Sequence, residues 1–271
     1  MNSSRLKQLS ILFVMLGIIS LLVACGSSEG DAEKEGDSSK NADESGLKDI
    51  YTVASDTSFV PFEFKEDGEY VGFDIELIKA IADEVGFEIE LETTNFDGII
   101  PGLQTGSFDI AVAGISIKED RKKKVDFSDP YYQSGLAIGV SSDNDSIKSM
   151  EDLEGKTIAT RLGSTSATYI NENIKNAKAS QFEQLDQAYL AVENGSADAI
   201  LYDAPNVNYY IKTKGDNLKV VGDLYQAEDY GIAISKGQGE LVTAINDALA
   251  TLKENGKYDE IYEKWFGKKP E

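Results

Sequence analysis

The sequence predicts an α/β protein of two lobes, on three observations. Strand-like and helix-like stretches alternate along its body, the alternation recurs in the middle of the chain, and the single cysteine leaves no disulfide to staple the body. The body, Leu47 to Glu271, is about 225 residues, enough for one large or two small cores. DIYTVAS (49–55) reads as a strand. GFDIELIKAIADEVG follows, with Ile75, Ile78, Ala82 and Val85 on one helical face, and FEIELET then alternates as a strand does. The second unit has LEGKTIAT as a strand, Ser164 as the cap of a helix running to about Asn173, and DAILYD as a further strand. Between the units, Lys148 to Glu154 carries a Ser-Met-Glu-Asp cap. Strands at Lys219 to Val221 and Gly231 to Ser235 precede a helical C-terminus.

The ends read differently. Arg5 and Lys7 precede an apolar run from Leu9 to Val23 that closes on Leu22-Val23-Ala24-Cys25. Some fifteen apolar residues are short for a membrane span, and a small residue before a lone cysteine is the pattern of a lipoprotein signal peptide. Residues 1–24 are therefore expected to be removed and Cys25 diacylated, leaving the body extracytoplasmic, on the outer face of the cytoplasmic membrane. Two acyl chains anchor far better than one. From Gly26 to Gly46 only small, polar and charged residues occur, seven acids and two lysines among them. Such a segment buries too little to offset ordering, so 25–46 reads as a lipidated cysteine and a linker with an r.m.s. span of about 25 Å.

Composition excludes whole classes of chemistry. The chain has no histidine, which removes His acid/base catalysis, Ser-His and Cys-His nucleophiles and ordinary zinc sites. A net charge of −22 opposes nucleic-acid binding. No metal, no cofactor and no catalytic residue is expected.

The stretch AVAGISIKEDRKKKVDFSDPYY (111–132) places a Gly-Ile-Ser turn five residues before an arginine. Backbone N–H groups, a hydroxyl and a guanidinium so arranged suit one small carboxylate, as on a free amino acid. Together with SDTSFVPFEF (55–64), the 72–86 helix, FDGIIPGLQTGSFD before it and ENGKYDEIYEKWFG (254–267), this stretch resembles the polar amino-acid-binding proteins of ABC importers (bacterial extracellular solute-binding proteins, family 3), above all their glutamine-binding members. The resemblance runs through nearly all of Leu47 to Gly267. It implies a type II periplasmic-binding-protein-like fold, in which two α/β lobes joined by two crossing strands close on one amino acid. Lobe 1 would comprise 47–129 and 231–271, lobe 2 would comprise 136–226, and irregular hinges would lie at 130–135 and 227–230.

By that resemblance, Arg121 forks onto the ligand carboxylate while the Ser116 N–H donates from a turn that opens a short helix. N–H groups near Thr165 complete the site from lobe 2. Asp203 takes the α-ammonium, helped by the Gly114 carbonyl and the Ser116 hydroxyl. Phe59 and Phe96 wall the aliphatic stem, whereas Phe62 and Phe64 read as core, with Trp265 packing in lobe 1. Lys122, Lys123 and Lys124 read as solvated. At the far end Asp56 can accept and Arg161 can donate, which together satisfy a primary amide and favour glutamine. An Asp56–Arg161 salt bridge would serve equally as a latch between lobes. Two residues depart from the glutamine pattern: Arg161 stands in place of lysine, and Tyr202 in place of histidine beside the acid. Relatives with similar motifs take arginine, histidine, cystine, glutamate or aspartate. A ligand sensor acting through a separate membrane partner and a dehydratase-like enzyme are the other classes this fold serves. The expected partners are the amino acid, an ABC permease and the membrane, with a monomeric body.

Overall fold

The structure is a computed structural model that describes residues 46–214 and 217–270. The expected signal peptide, Cys25 and the linker to residue 45 lie outside the described residues. The body opens with β1 (Ile50–Ser55), β2 (Ser58–Phe59), β3 (Glu63–Glu66) and β4 (Glu69–Val71). Then come α1 (Phe73–Val85), β5 (Glu88–Thr93), α2 (Phe96–Thr105), β6 (Ile110–Ala111), the short α3 (Glu119–Lys122) and β7 (Asp126–Phe127). The middle runs β8 (Tyr132–Ser141), β9 (Thr157–Arg161), α4 (Thr165–Asn173), β10 (Lys178–Phe182), α5 (Leu185–Glu193), β11 (Ala199–Asp203), α6 (Ala204–Lys214) and β12 (Leu218–Tyr230). β13 (Ala233–Ile234), α7 (Gly239–Glu254) and α8 (Lys257–Phe266) close it.

Local chemistry accounts for the element ends. α1 buries Ile75, Ile78 and Ala82 as the 3.6-residue period requires, and it stops at left-handed Gly86, whose N–H caps the Ala82 carbonyl. α4 begins at Ser164, whose hydroxyl oxygen accepts the Ala167 N–H at 3.1 Å. Before β9, the Asp152 carboxylate accepts the N–H groups of Lys148 and Ser149, which fixes the turn read from Ser-Met-Glu-Asp.

Two five-stranded sheets form the lobes. One has the order β5-β1-β6-β13-β7 and the other β10-β9-β11-β8-β12, while β2, β3 and β4 make a small third sheet. In each large sheet the βαβ units pair in parallel and the returning strands are antiparallel. Val53, Leu77, Ile78, Ile81, Ile110 and Ile245 pack about the first sheet, and Leu136, Ile138, Ile158, Ile170 and Leu201 pack about the second. Burying each such side chain is worth about 1.5–3 kcal/mol, so each sheet has the apolar contacts to hold without a disulfide.

The crossing differs from the expectation of irregular hinges. β8 and β12 pair through Tyr132↔Tyr230, Gln133↔Asp229 and Ser134↔Glu228. Because the two crossing segments run antiparallel side by side, their backbone groups satisfy each other. The irregularity is confined to register shifts between Val221 and Tyr225 and between Tyr225 and Glu228. Tyr132 stacks on Tyr230 here, with Phe62 edge-on to both rings.

Candidate functional site

The side chains singled out in the sequence lie where parallel strands end. Asp56 follows β1, Phe96 opens α2 after β5, and Gly114 and Ser116 follow β6. Arg161 ends β9, Thr165 opens α4 and Asp203 ends β11. In open α/β sheets the carboxyl ends of the strands are where backbone groups and helix N-termini face a crevice, so both sheets present this edge to the same place.

At one end, Arg161 Nη1 lies 2.6 Å from Asp56 Oδ2, with both side chains 1% exposed. The same nitrogen donates to Ser58 Oγ at 2.8 Å. Among the described residues Arg161 Nε and Nη2 have no acceptor, and neither Asp56 oxygen has an aligned hydrogen-bond donor. Burial works against the Arg161 charge, but Tyr202 and Asp56 beside it more than offset this and raise its pKa. Both forms read from the sequence are thus compatible: the pair spans the lobes, and it retains donors and acceptors to give.

Phe96 links this end to the next. The Arg161 and Arg121 guanidinium carbons lie 5.9 and 5.5 Å from its ring centroid. Arg121 is buried, and its Nη1 and Nη2 donate to the carbonyls of Ser116 (3.1 Å) and Gly163 (3.2 Å), one on each lobe. Burial lowers its pKa, with Asp120, Glu228 and Asp203 pulling the other way. Lys122, Lys123 and Lys124 are exposed. Phe59 is fully buried, stacked on Phe62 and edge-on to Tyr202, while Phe64 packs edge-on to Trp265. Gly114 is held at φ +54°, and a Cβ there would stand 2.2 Å from Phe59 Cε1. Only glycine lets the wall approach the backbone so closely.

The acidic end contains more than the sequence indicated. The Tyr230 hydroxyl donates to Asp203 Oδ2, and Asp203 Oδ1 has no hydrogen-bond partner among the described residues. Burial, followed by the nearby Glu228 charge, pushes the Asp203 carboxyl up to about 7. Ser116 is not in the turn that opens a helix, because α3 begins at Glu119. Ser116 is instead extended and bridged to Tyr230, with Ile117 N–H donating to the Asp229 carbonyl and Gly231 N–H to that of Ile115. Pairing with the crossing strand wins over helix nucleation. The Ser116 hydroxyl donates to Glu228 Oε2 at 2.5 Å, and Thr165 Oγ1 donates to the same oxygen at 2.7 Å. Glu228 was missed because it fell in a presumed irregular hinge. Extending the strand period would have found it, since Glu228 and Tyr230 are buried and Asp229 between them is exposed.

Beneath the site lies a second feature absent from the sequence reading. Asp74 Oδ2 accepts the Gly114 N–H and the Tyr131 hydroxyl, each at 2.8 Å, while Oδ1 and both oxygens of the fully buried Glu63 have no hydrogen-bond partner among the described residues. Burial raises Glu63 far above the usual carboxylate range, reinforced by Asp74 and Asp56, and burial pushes Asp74 up to about 7.

Comparison with known proteins decides the family. The profile of the bacterial extracellular solute-binding proteins, family 3, matches residues 51–268. The chain belongs to this family. The family's amino-acid-binding members work as substrate-binding proteins with ABC permeases. Over 274 residues this solute-binding protein is 36% identical to the ABC transporter glutamine-binding protein GlnH of Bacillus subtilis (strain 168), covering 97% of this chain and 98% of that one. It is 44% identical to an ancestral arginine-binding protein bound to arginine, with a TM-score of 0.78 over 81% of this chain and 99% of the other. The same identity, with a TM-score of 0.77 over 82% and 100%, relates it to an ancestral arginine-binding protein bound to glutamine. Among the described residues of this solute-binding protein no helix is long and apolar enough to cross a membrane.

Proposed function

We propose that this protein captures free glutamine outside the cytoplasmic membrane and hands it to an ABC permease, tethered by a diacylated Cys25 with residues 1–24 removed and 25–46 as linker. The observation that supports glutamine is the balance of charge between the lobes. Arg121, Arg161 and Lys118 stand against Asp56, Asp203 and Glu228, all within one constellation. A zwitterion with a neutral side chain preserves that balance. A cationic side chain would meet Arg161, and an anionic one Asp56, and each would be left without a counter-charge in a buried place.

In this reading Arg121 forks onto the α-carboxylate, the Ser116 N–H and the N–H groups at Thr165 complete that site, and Asp203 takes the α-ammonium with the Gly114 carbonyl and Ser116 hydroxyl. Phe59 and Phe96 wall the aliphatic stem, with Tyr202 edge-on behind Phe59. The unpartnered donors of Arg161 face the amide carbonyl, and Asp56 accepts from the amide nitrogen. Lobe 1 (47–129 and 231–271) binds first, lobe 2 (136–226) folds over through hinges at 130–135 and 227–230, and the added contacts favour closure. The body acts as a monomer, and it binds without chemical change to the ligand.

Arginine is the second reading, favoured by the 44% identity to the ancestral protein bound to arginine. Asp56 would then take the ligand guanidinium, which requires Arg161 to leave it. A thermal-shift panel of the refolded protein against the twenty common amino acids separates the readings. A ligand at 100 times its Kd adds about 2.7 kcal/mol, several degrees in Tm. A shift with glutamine and none with arginine is expected; the reverse result overturns the glutamine assignment, and no shift with any amino acid overturns the capture role.

A further inference from the structure

Glu228 is the most heavily bonded carboxylate beside the site. Its side chain is 1% exposed. Oε2 accepts the hydroxyls of Ser116 and Thr165, and Oε1 accepts the Gln226 amide at 3.0 Å and lies 3.0 Å from Lys118 Nζ. Ser116 and Lys118 belong to the segment after β6, Thr165 opens α4, and Glu228 itself lies on the crossing strand β12. One charge therefore touches both lobes and the link between them. The backbone is shaped to put it there. The β8 to β12 register breaks between Tyr225 and Glu228, and Gln226 is held at φ +43°, a conformation that non-glycine residues seldom adopt.

The consequence lies in the hydroxyls. A serine or threonine hydroxyl has one hydrogen and two lone pairs, and an ionised carboxylate can only accept. With both hydrogens committed to Glu228, the Ser116 and Thr165 oxygens can offer only lone pairs to anything else that approaches. Asp203 Oδ1, also without a donor, lies at the same end. Two hydroxyls held as acceptors beside a carboxylate oxygen fit a group that is all donor, and an ammonium has three N–H bonds and no acceptor.

Resting on the capture reading above, we infer that Glu228 is the positioning residue that makes this end of the site selective for a primary ammonium, by fixing the Ser116 and Thr165 hydroxyls as acceptors while holding the two lobes together. Glu228 need not touch the ligand. It acts through two hydroxyls that would otherwise rotate and donate as readily as accept.

Glu228→Gln tests this. The amide keeps the shape but loses the charge, and its NH2 group donates where the carboxylate accepted. The readout is the ratio of two dissociation constants measured on the full chain, one for glutamine and one for the same acid lacking its α-amino group, followed by ligand-observed NMR where it is weak. We expect glutamine to weaken by about thirtyfold or more, the size of a lost charge-assisted hydrogen bond, and the des-amino acid to change by less than about threefold, so that discrimination collapses. Equal weakening of both ligands would mean that Glu228 is only structural, and no change in either would mean that it is idle; each overturns the inference. Should the variant not melt cooperatively, Thr165→Val, which removes a hydroxyl given a ligand role only through Glu228, is read by the same ratio, with collapse expected and an unchanged ratio against it. If wild-type protein binds another amino acid, that amino acid and its des-amino form replace the pair. If it binds none, the capture reading itself fails and Glu228 with it, a result distinct from wild-type binding with an unmoved ratio.

Discussion

Replacing Arg121 with alanine removes the proposed carboxylate fork together with a side chain that donates to Ser116 on one lobe and Gly163 on the other. Two charge-assisted hydrogen bonds at about 1.5–3 kcal/mol each put the loss at about 3–6 kcal/mol, or roughly 10² to 10⁴ in Kd. The fold should lose far less. The bonds to the Ser116 and Gly163 carbonyls are lost, but removing the guanidinium also relieves the cost of burying it, and the two effects oppose each other. Calorimetric titration of Arg121→Ala with glutamine, beside a thermal melt, separates the two effects. The expected result is no measurable heat at ligand concentrations that saturate wild type, with Tm within a few degrees. If glutamine still binds within about tenfold of wild type, Arg121 is not the carboxylate ligand and the site must be rebuilt around another cation.

Three further consequences follow from the geometry. Gly163 is held at φ +75°, and a Cβ there would lie 3.0 Å from the Asp97 Cβ on the facing lobe, so Gly163→Ala should weaken glutamine binding about tenfold or more through closure, seen as a faster dissociation rate in stopped flow. Asp203, pushed up to about 7 by burial and by Glu228, must ionise to pair an ammonium. Glutamine affinity should therefore fall as pH drops below about 7, with proton release on binding that shows as buffer-dependent heats in calorimetry; a flat profile from pH 5 to 8 would count against Asp203. Asp74 is likewise pushed from its ordinary range near 3.8 up to about 7, so the folded chain holds a proton that the unfolded chain releases. Its contribution to stability is present below about pH 4 and is lost as pH climbs to about 7, the reverse of a salt-bridged acid. Asp74→Asn should flatten that part of the decline in urea melts, and an unchanged slope would show that the pair is ionised in the fold.

What the sequence made legible was set by short-range physics. The α1 stripe, the Ser164 cap and the Asp152 turn depend on spacings of three or four residues, and each is present in the structure. The placing of Asp56, Arg121, Arg161 and Asp203 together came from resemblance, because nothing local brings residues 56 and 161 within 2.6 Å. Glu228 was reachable only by extending the strand period through the crossing segment, and Glu63 and Asp74 carried no signal at all. In a chain with 48 acids, an acid buried by partners 40 to 112 residues away looks like any surface acid. Ser116 shows the same limit, since its conformation is decided by pairing with Tyr230 and not by the neighbouring helix former. The crossing strands were read as irregular because their ladder joins segments nearly a hundred residues apart, and no local pattern announces such a partner.

The most direct measurement is calorimetric titration of the refolded wild-type protein with glutamine, and with arginine and glutamate in parallel. Balanced charges predict one site per chain and micromolar or tighter affinity, about −8 kcal/mol, for glutamine, with arginine and glutamate at least a hundredfold weaker. Saturable heat from arginine with none from glutamine would contradict the account of Asp56 and Arg161, and silence from all three would contradict its central claim.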